Sequence, residues 1–206
     1  MIGAAVAQRL GYSFFDTGSM YRAVTWLVLR RGVDPHDADQ LALLAEGTNI
    51  TVGEGPAGGA EATSVLLDGE DATPHLREPG VEANVSLVSR VPRVRVALVR
   101  IQRELAAPGR VVMAGRDIGT VVLRDAGLKV YLDASRAVRA ERRAAQIRAA
   151  GDEADEPAIL ADLARRDGID SQREASPLTA AADAVIINTD VMTVEQVVER
   201  IVELAR

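Results

Sequence analysis

The stretch Ser13-Phe14-Phe15-Asp16-Thr17-Gly18-Ser19-Met20-Tyr21-Arg22 constrains the fold of this chain more than any other. A short apolar strand breaks at Asp-Thr-Gly and re-enters as a helix that carries an arginine one turn in. A strand that runs straight into a helix start is the repeating unit of a parallel α/β sheet, because the crossover helix packs back onto the sheet. Such junctions also bind ligands: at the carboxyl end of the strand, unpaired N–H groups and the positive end of the helix dipole face an incoming anion. Arg22 adds a planar, charge-assisted fork suited to phosphate or carboxylate. The stretch also reads as a plain strand-to-helix connection, with Asp16 or Thr17 as N-cap and Arg22 in solvent.

A second junction of the same kind follows, where Arg110-Val111-Val112-Met113-Ala114 runs into Gly115-Arg116-Asp117-Ile118-Gly119-Thr120. Here glycines permit a tight bend and a close backbone approach, and adjacent Arg and Asp supply hydrogen-bonding groups of both signs. Strands are also expected at 12–15, 128–132 and 184–188. Helices are expected at 2–10, 19–31 (closed by Gly32), 78–89, from Pro92 to Gly109, 136–150, from Pro157 to near Asp167, and from a Thr193/Gln196 cap to Arg206. Asp37 and Gln40 cap a short helix that ends at Gly47. Between about 48 and 77 the texture changes to Gly, Glu and Thr with short alternating runs at 49–52 and 64–67, which predicts a small antiparallel β insert.

Composition narrows the chemistry. The chain has 206 residues, 48% hydrophobic and 26% charged, which suffices for a sizeable core in a soluble domain. Its net charge of −6 argues against a general nucleic-acid or membrane-surface binder, since either needs a basic face. There is no cysteine, so disulfides, thiol nucleophiles and zinc–thiolate sites are excluded, and a reducing cytoplasm suits the chain. No stretch reaches the length of a membrane span and the amino terminus lacks a secretion-signal pattern. The two histidines, His36 and His75, sit in polar loop-like surroundings and receive no role.

Arginine supplies every basic residue except Lys129. Arg136, Arg139 and Arg143 share one helix face with Arg142 beside them, and Glu141 is the main acid interleaved. Like charge gathered on one face is unfavourable without an anionic partner, although a solvated face is the common outcome. Arg22, Arg95, Arg116, Arg139, Arg142, Arg166 and Arg173 lie on separate elements of an acidic chain. Phosphoryl transfer needs that arrangement, because catalysis there is mostly positioning plus neutralisation of spreading phosphate charge, with no protein nucleophile.

The motifs Asp16-Thr17-Gly18-Ser19-Met20-Tyr21-Arg22, Gly115-Arg116-Asp117-Ile118-Gly119-Thr120 and the segment 170–178 together resemble bacterial cytidylate kinases, and the likeness covers essentially the whole sequence. The resemblance implies a P-loop-kinase-like α/β fold with a parallel sheet flanked by helices. It implies one domain, with a core at 1–47, 91–135 and 157–206, a nucleoside-monophosphate-binding β insert at about 48–90, and a helical lid at about 136–156. It implies transfer of the γ-phosphoryl group of ATP, with Mg²⁺, to CMP or dCMP, by a cytoplasmic monomer. By the family pattern Thr17, Arg22 and Arg116 surround the acceptor phosphate, with Asp16 beside them, and Ser86, Arg95 and Asp117 read the cytosine edge. Arg166 and Asp170 hold the sugar hydroxyls with Arg173 nearby, and Arg139, Arg142 and Arg143 are lid arginines. Tyr21 is expected to pack. Shikimate and adenylate kinases fit the Gly-Arg-Asp-x-Gly-Thr piece and the β insert less well. A nucleotide-binding module without turnover, and a structural domain with solvated arginines, are the readings from other classes.

A member of this family is expected to open on a strand and a Gly-x-x-x-x-Gly-Lys-[Ser/Thr] loop, and no such motif occurs in these residues. The sequence from Met1 to Val6 reads as the helix that follows that loop, and Lys129 lies in an expected strand far along the chain. The 206 residues alone are therefore expected to bind donor phosphates weakly and to turn over little. A coupled ADP-release assay, run on this chain and on a form preceded by the loop-bearing segment, checks this: only the extended form should release ADP, and full turnover by the short form would contradict it.

Overall fold

A computed structural model describes residues 2–55, 62–149, 151, 153–171 and 179–206. The helix α1 (Ile2–Leu10) leads into strand β1 (Ser13–Asp16), which enters α2 (Thr17–Arg30) with no intervening loop. The helix starts two residues before the 19–31 expected from the sequence because the Asp16 carboxylate accepts the Gly18 N–H at 2.9 Å and caps the first turn. Gly32, at φ +66°, then turns the chain away in the left-handed region that favours glycine. Helix α3 (Ala38–Gly47) starts as read, with Asp37 accepting from the Gln40 N–H.

The β insert is present and larger by one short strand. β2 (Ile50–Glu54) pairs antiparallel with β3 (Thr63–Leu67), which pairs with β4 (Glu70–Asp71). A two-residue strand has too little pattern to read from sequence. Helices α4 (Pro79–Ser89) and α5 (Pro92–Ala106) each carry proline at the first position, where its missing N–H removes nothing. Strand β5 (Val111–Ala114) follows, then a π-helical turn at Ile118–Val122 that the sequence reading left unassigned. β6 (Val130–Asp133) lies slightly later than the expected 128–132. It leads through α6 (Arg136–Ala149) and α7 (Glu156–Ser171) to β7 (Val185–Asn188) and α8 (Val194–Leu204). α7 runs past Asp167, where the sequence reading ended it. α8 begins with the full capping box of Thr193 and Gln196.

The four core strands are parallel, as expected for an α/β chain, and are flanked by helices. They form two hydrogen-bonded pairs, β1 with β5 and β6 with β7, where the sequence reading has one sheet. Among the described residues no ladder joins β5 to β6, and both strands are only partly covered: Leu132 on β6 is 41% exposed.

The main core lies between α2, α3, α4, α5 and the insert. Val24, Val28, Leu41, Val65, Leu76, Val81, Val88, Val94 and Leu98 form one fully buried cluster, so the inner face of the insert shares its packing with α2. Trp26, the single tryptophan, stacks on His75 of the insert with ring centroids 4.9 Å apart, and the Arg30 guanidinium lies 4.9 Å from its ring. A second cluster joins Val6 of α1 to Val198 and Val202 of α8, with Val112 of β5 beneath. Leu98 is fully buried, so Leu98→Ala should lower the unfolding free energy by about 2–5 kcal/mol. Urea titration followed by circular dichroism measures it, and a loss below 1 kcal/mol would contradict this account of the core.

Candidate functional site

The parallel register of β1 and β5 builds the site. Asp16 lies opposite Ala114, so the residues that follow each strand, Thr17 to Arg22 and Gly115 to Asp117, leave the pair side by side. The approach is close: a Cβ on Gly115 would stand 2.3 Å from Thr17 Oγ1 and 2.8 Å from Ile118 Cδ1, so only glycine fits. Thr17 Oγ1 donates to the Ala114 carbonyl at 3.0 Å, which ties the start of α2 to the end of β5. With its proton engaged there, the hydroxyl acts as an acceptor in this arrangement. From the insert, the buried Thr63 hydroxyl accepts the Asp16 N–H at 2.8 Å and fixes the same corner from its third side.

Arg22 is 8% exposed, not in solvent as the plain strand-to-helix reading has it. Its Nη2 donates to Asp16 Oδ2 at 3.0 Å and to Ser19 Oγ at 3.3 Å, so Asp16 serves as both helix cap and counterion. Arg22 Nε is buried and has no hydrogen-bond acceptor among the described residues. An unsatisfied donor on a buried guanidinium is costly to leave, and an anionic oxygen is the partner that would satisfy it best.

Arg95 and Asp117 form a buried ion pair between α5 and the residue after Arg116, with side-chain exposures of 6% each. Arg95 Nη1 also donates to the Ser89 carbonyl at 3.1 Å, where the end of α4 presents unpaired carbonyls to a cation. Its guanidinium lies 5.3 Å from the Tyr21 ring, and Tyr21 packs as expected. Ser86 of α4 is 2% exposed, and its hydroxyl has no partner among the described residues. Ser89 Oγ donates to the Ser86 carbonyl at 3.3 Å, so Ser86, Ser89, Arg95 and Asp117 form one connected group.

The arginines of α6 find their partners on other elements. Arg139 binds Asp167 of α7 through two hydrogen bonds, 3.0 and 2.7 Å, and Arg136 stands 3.6 Å from the same carboxylate. Arg143 approaches Glu82 of α4 at 4.0 Å. Arg142 turns elsewhere: it donates to Thr189 Oγ1 at 3.0 Å and to the Thr189 carbonyl, which fastens α6 to the end of β7. The structure thus places Arg139 against α7, Arg143 near α4 and Arg142 against the end of β7. Arg116 is exposed and close enough to Asp167 to help hold that carboxylate ionised, which links the strand-end cluster to the α6–α7 pair. Arg166 and Asp170 fall within α7, with side chains outside the described residues, and Arg173 lies outside them altogether.

Asp167, named from the sequence only as the expected end of a helix, is the residue that sequence reasoning passed over. Its role depends on α7 continuing beside α6, and no spacing within the chain announces that. Two surface depressions, about 450 Å³ along α8 and about 240 Å³ between α2 and the insert, contain none of the candidate residues. Among the described residues no three acidic or histidine side chains converge as a metal cage, and no helix is long and apolar enough to cross a membrane.

A parallel-strand α/β chain that gathers guanidinium groups at adjoining strand ends, beside a helix pair that carries more of them, has the make-up of a phosphoryl-transfer protein. Residues 1–206 match the cytidylate kinase family. The cytidylate kinase of Mycolicibacterium paratuberculosis (strain ATCC BAA-968 / K-10) is 47% identical over 206 residues, covering 100% of this chain and 89% of that protein. That of Symbiobacterium thermophilum is 46% identical over 205 residues, again 100% and 89%. A bifunctional pantoate ligase/cytidylate kinase of Synechococcus sp. (strain JA-3-3Ab) is 44% identical over 205 residues, with this chain spanning 38% of its length. The chain belongs to the cytidylate kinase family, and is therefore a nucleoside monophosphate kinase.

The Asp167 carboxyl is held below its ordinary value of 3.8, first by the Arg139 hydrogen bonds, with the charges of Arg139, Arg136 and Arg116 adding and burial opposing. A depressed folded value means that the clasp contributes its full stability above 3.8 and loses it as pH falls through the lower folded value. Asp167→Asn should therefore be less stable than the parent at pH 7 by an amount that shrinks below pH 3.8. Urea unfolding of both proteins from pH 7 to pH 2 tests this, and a constant difference across that range would refute the assignment.

Proposed function

We propose that the corner formed by β1, β5, α2, α4 and α5 binds CMP or dCMP as the acceptor for the γ-phosphoryl group of ATP. The observation that carries this reading is the pair of buried polar atoms without a partner among the described residues, Arg22 Nε and Ser86 Oγ, in the same corner as the Arg95–Asp117 ion pair. One is a cationic donor at a helix start, suited to a phosphate oxygen. The other is a neutral hydroxyl beside a carboxylate and a guanidinium. Cytosine presents an amine donor next to ring-nitrogen and carbonyl acceptors, so Asp117 accepts from the amine while Arg95 and Ser86 serve the acceptors. Arg116, exposed and next to Asp117 in the chain, completes the cation set around the acceptor phosphate, and Thr17 and Asp16 keep that corner in shape.

Arg139 and Arg143 take the role of lid cations over the transferring group, whose charge Asp167 and Glu82 balance in the present arrangement. Arg142 is assigned to fastening α6 rather than to the phosphoryl group. Arg166, Asp170 and Arg173 keep their proposed sugar-side role. The acceptor phosphate carries its own negative charge near neutral pH, so attack needs no protein base. Mg²⁺ is assigned to the phosphates of ATP as part of the donor. A monomer in the cytoplasm is the proposed working form.

Replacing Arg22 with Met keeps much of its packing and removes the charged donors, worth about 1.5–3 kcal/mol per hydrogen bond. Arg22→Met should weaken CMP binding roughly ten- to a hundredfold by calorimetry. Unchanged affinity would remove the acceptor phosphate from this corner.

A further inference from the structure

Arg103 lies two turns beyond Arg95 on α5, and its contacts point at the same segment from the other end. Its Nε donates to the Val122 carbonyl at 3.0 Å and its Nη2 to the Val121 carbonyl at 2.8 Å. These carbonyls close the π-helical turn Ile118–Val122, which begins immediately after Arg116 and Asp117. Such a turn is rare and short, and its final carbonyls have no continuing helix to satisfy them. The rest of the turn is tightly tied: the Asp117 carbonyl accepts the Val121 and Val122 N–H groups at 2.9 and 3.3 Å, and the Ile118 carbonyl accepts the Leu123 N–H at 2.7 Å. Arg124 Nε caps the Thr120 carbonyl at 3.0 Å. Arg103 itself makes no ion pair among the described residues, so its hydrogen-bonding capacity goes to this backbone.

The segment from Gly115 to Val122 is therefore held at three places. Gly115 is wedged against Thr17, the Asp117 carboxylate is paired with Arg95, and the closing carbonyls are held by Arg103. Two of the three holds come from α5, at positions about 12 Å apart along its axis. Release of the last one leaves the turn free to unwind toward an ordinary helix or loop, and that rotates Asp117 and Arg116 relative to the fixed strand end.

We propose that Arg103 is a positioning residue for the acceptor site, which acts through the π-helical turn to set where Arg116 and Asp117 stand. This rests on the acceptor reading given above. The two ideas separate experimentally by titrating CMP and UMP into the whole chain by calorimetry, since UMP offers a carbonyl where CMP offers the amine that Asp117 reads. Arg103→Met, which keeps the apolar stem, should weaken CMP binding about tenfold and narrow the preference for CMP over UMP. Arg103→Lys keeps the charge but cannot fork to two carbonyls, so its affinity and preference should be intermediate, and it carries the test if the Met variant does not fold. Arg100→Met on the exposed side of α5 removes the same charge and should leave both values unchanged. A CMP-binding parent whose Arg103 variants retain full affinity and full preference, whatever happens to their melting temperature, overturns the proposal alone. A parent that binds no CMP overturns the acceptor reading and this proposal with it.

Discussion

The alignment of β1 against β5 is the constraint on which the rest of the site depends. Parallel pairing with Asp16 opposite Ala114 makes two chain segments, almost a hundred residues apart in sequence, emerge from neighbouring strand ends at the same level. A slip of one residue would turn Phe14 and Phe15 to the wrong faces and would part Thr17 from Gly115, so the apolar pattern of the strand and the geometry of the corner enforce the same register. The first turn of α2, the Gly-Arg-Asp segment and Thr63 of the insert then meet with little freedom left.

Electrostatics is organised around that corner in two layers. In the interior, Arg22 and Arg95 each have a carboxylate, Asp16 and Asp117, and Arg22 Nε has no acceptor among the described residues. Buried charges kept in this way add little net stability, because desolvation offsets most of their attraction. Their value is a preformed binding geometry. In the outer layer, Arg139 and Arg143 lean on carboxylates of α7 and α4, contacts that an incoming phosphate can replace without leaving a cation bare.

How much of this could be read in the residues themselves follows from how local each feature is. The N-cap at Asp16, the Asp37 and Thr193 caps, the helix ends at Gly32 and Gly47 and the apolar faces of α4 and α5 all depend on neighbours within a few positions, and the structure shows them close to where the pattern places them. The two strand-to-helix motifs were legible for the same reason, and family resemblance extended them to Ser86 and Arg95. What escaped depends on tertiary packing. The division into two strand pairs, the burial of Arg22, the turning of Arg142 toward Thr189 and the partnership of Asp167 with α6 each require knowing which elements lie side by side. The π-helical turn needs more still, since Ile-Gly-Thr-Val-Val carries no propensity signal for so uncommon a backbone.

The stack of Trp26 on His75 carries an optical consequence. The chain has one indole, and it bridges α2, whose first turn meets the end of β5, to the insert. Its emission is thus a built-in gauge of whether those two parts keep their spacing, because any shift of one against the other changes the quenching by the imidazole and the guanidinium beside it.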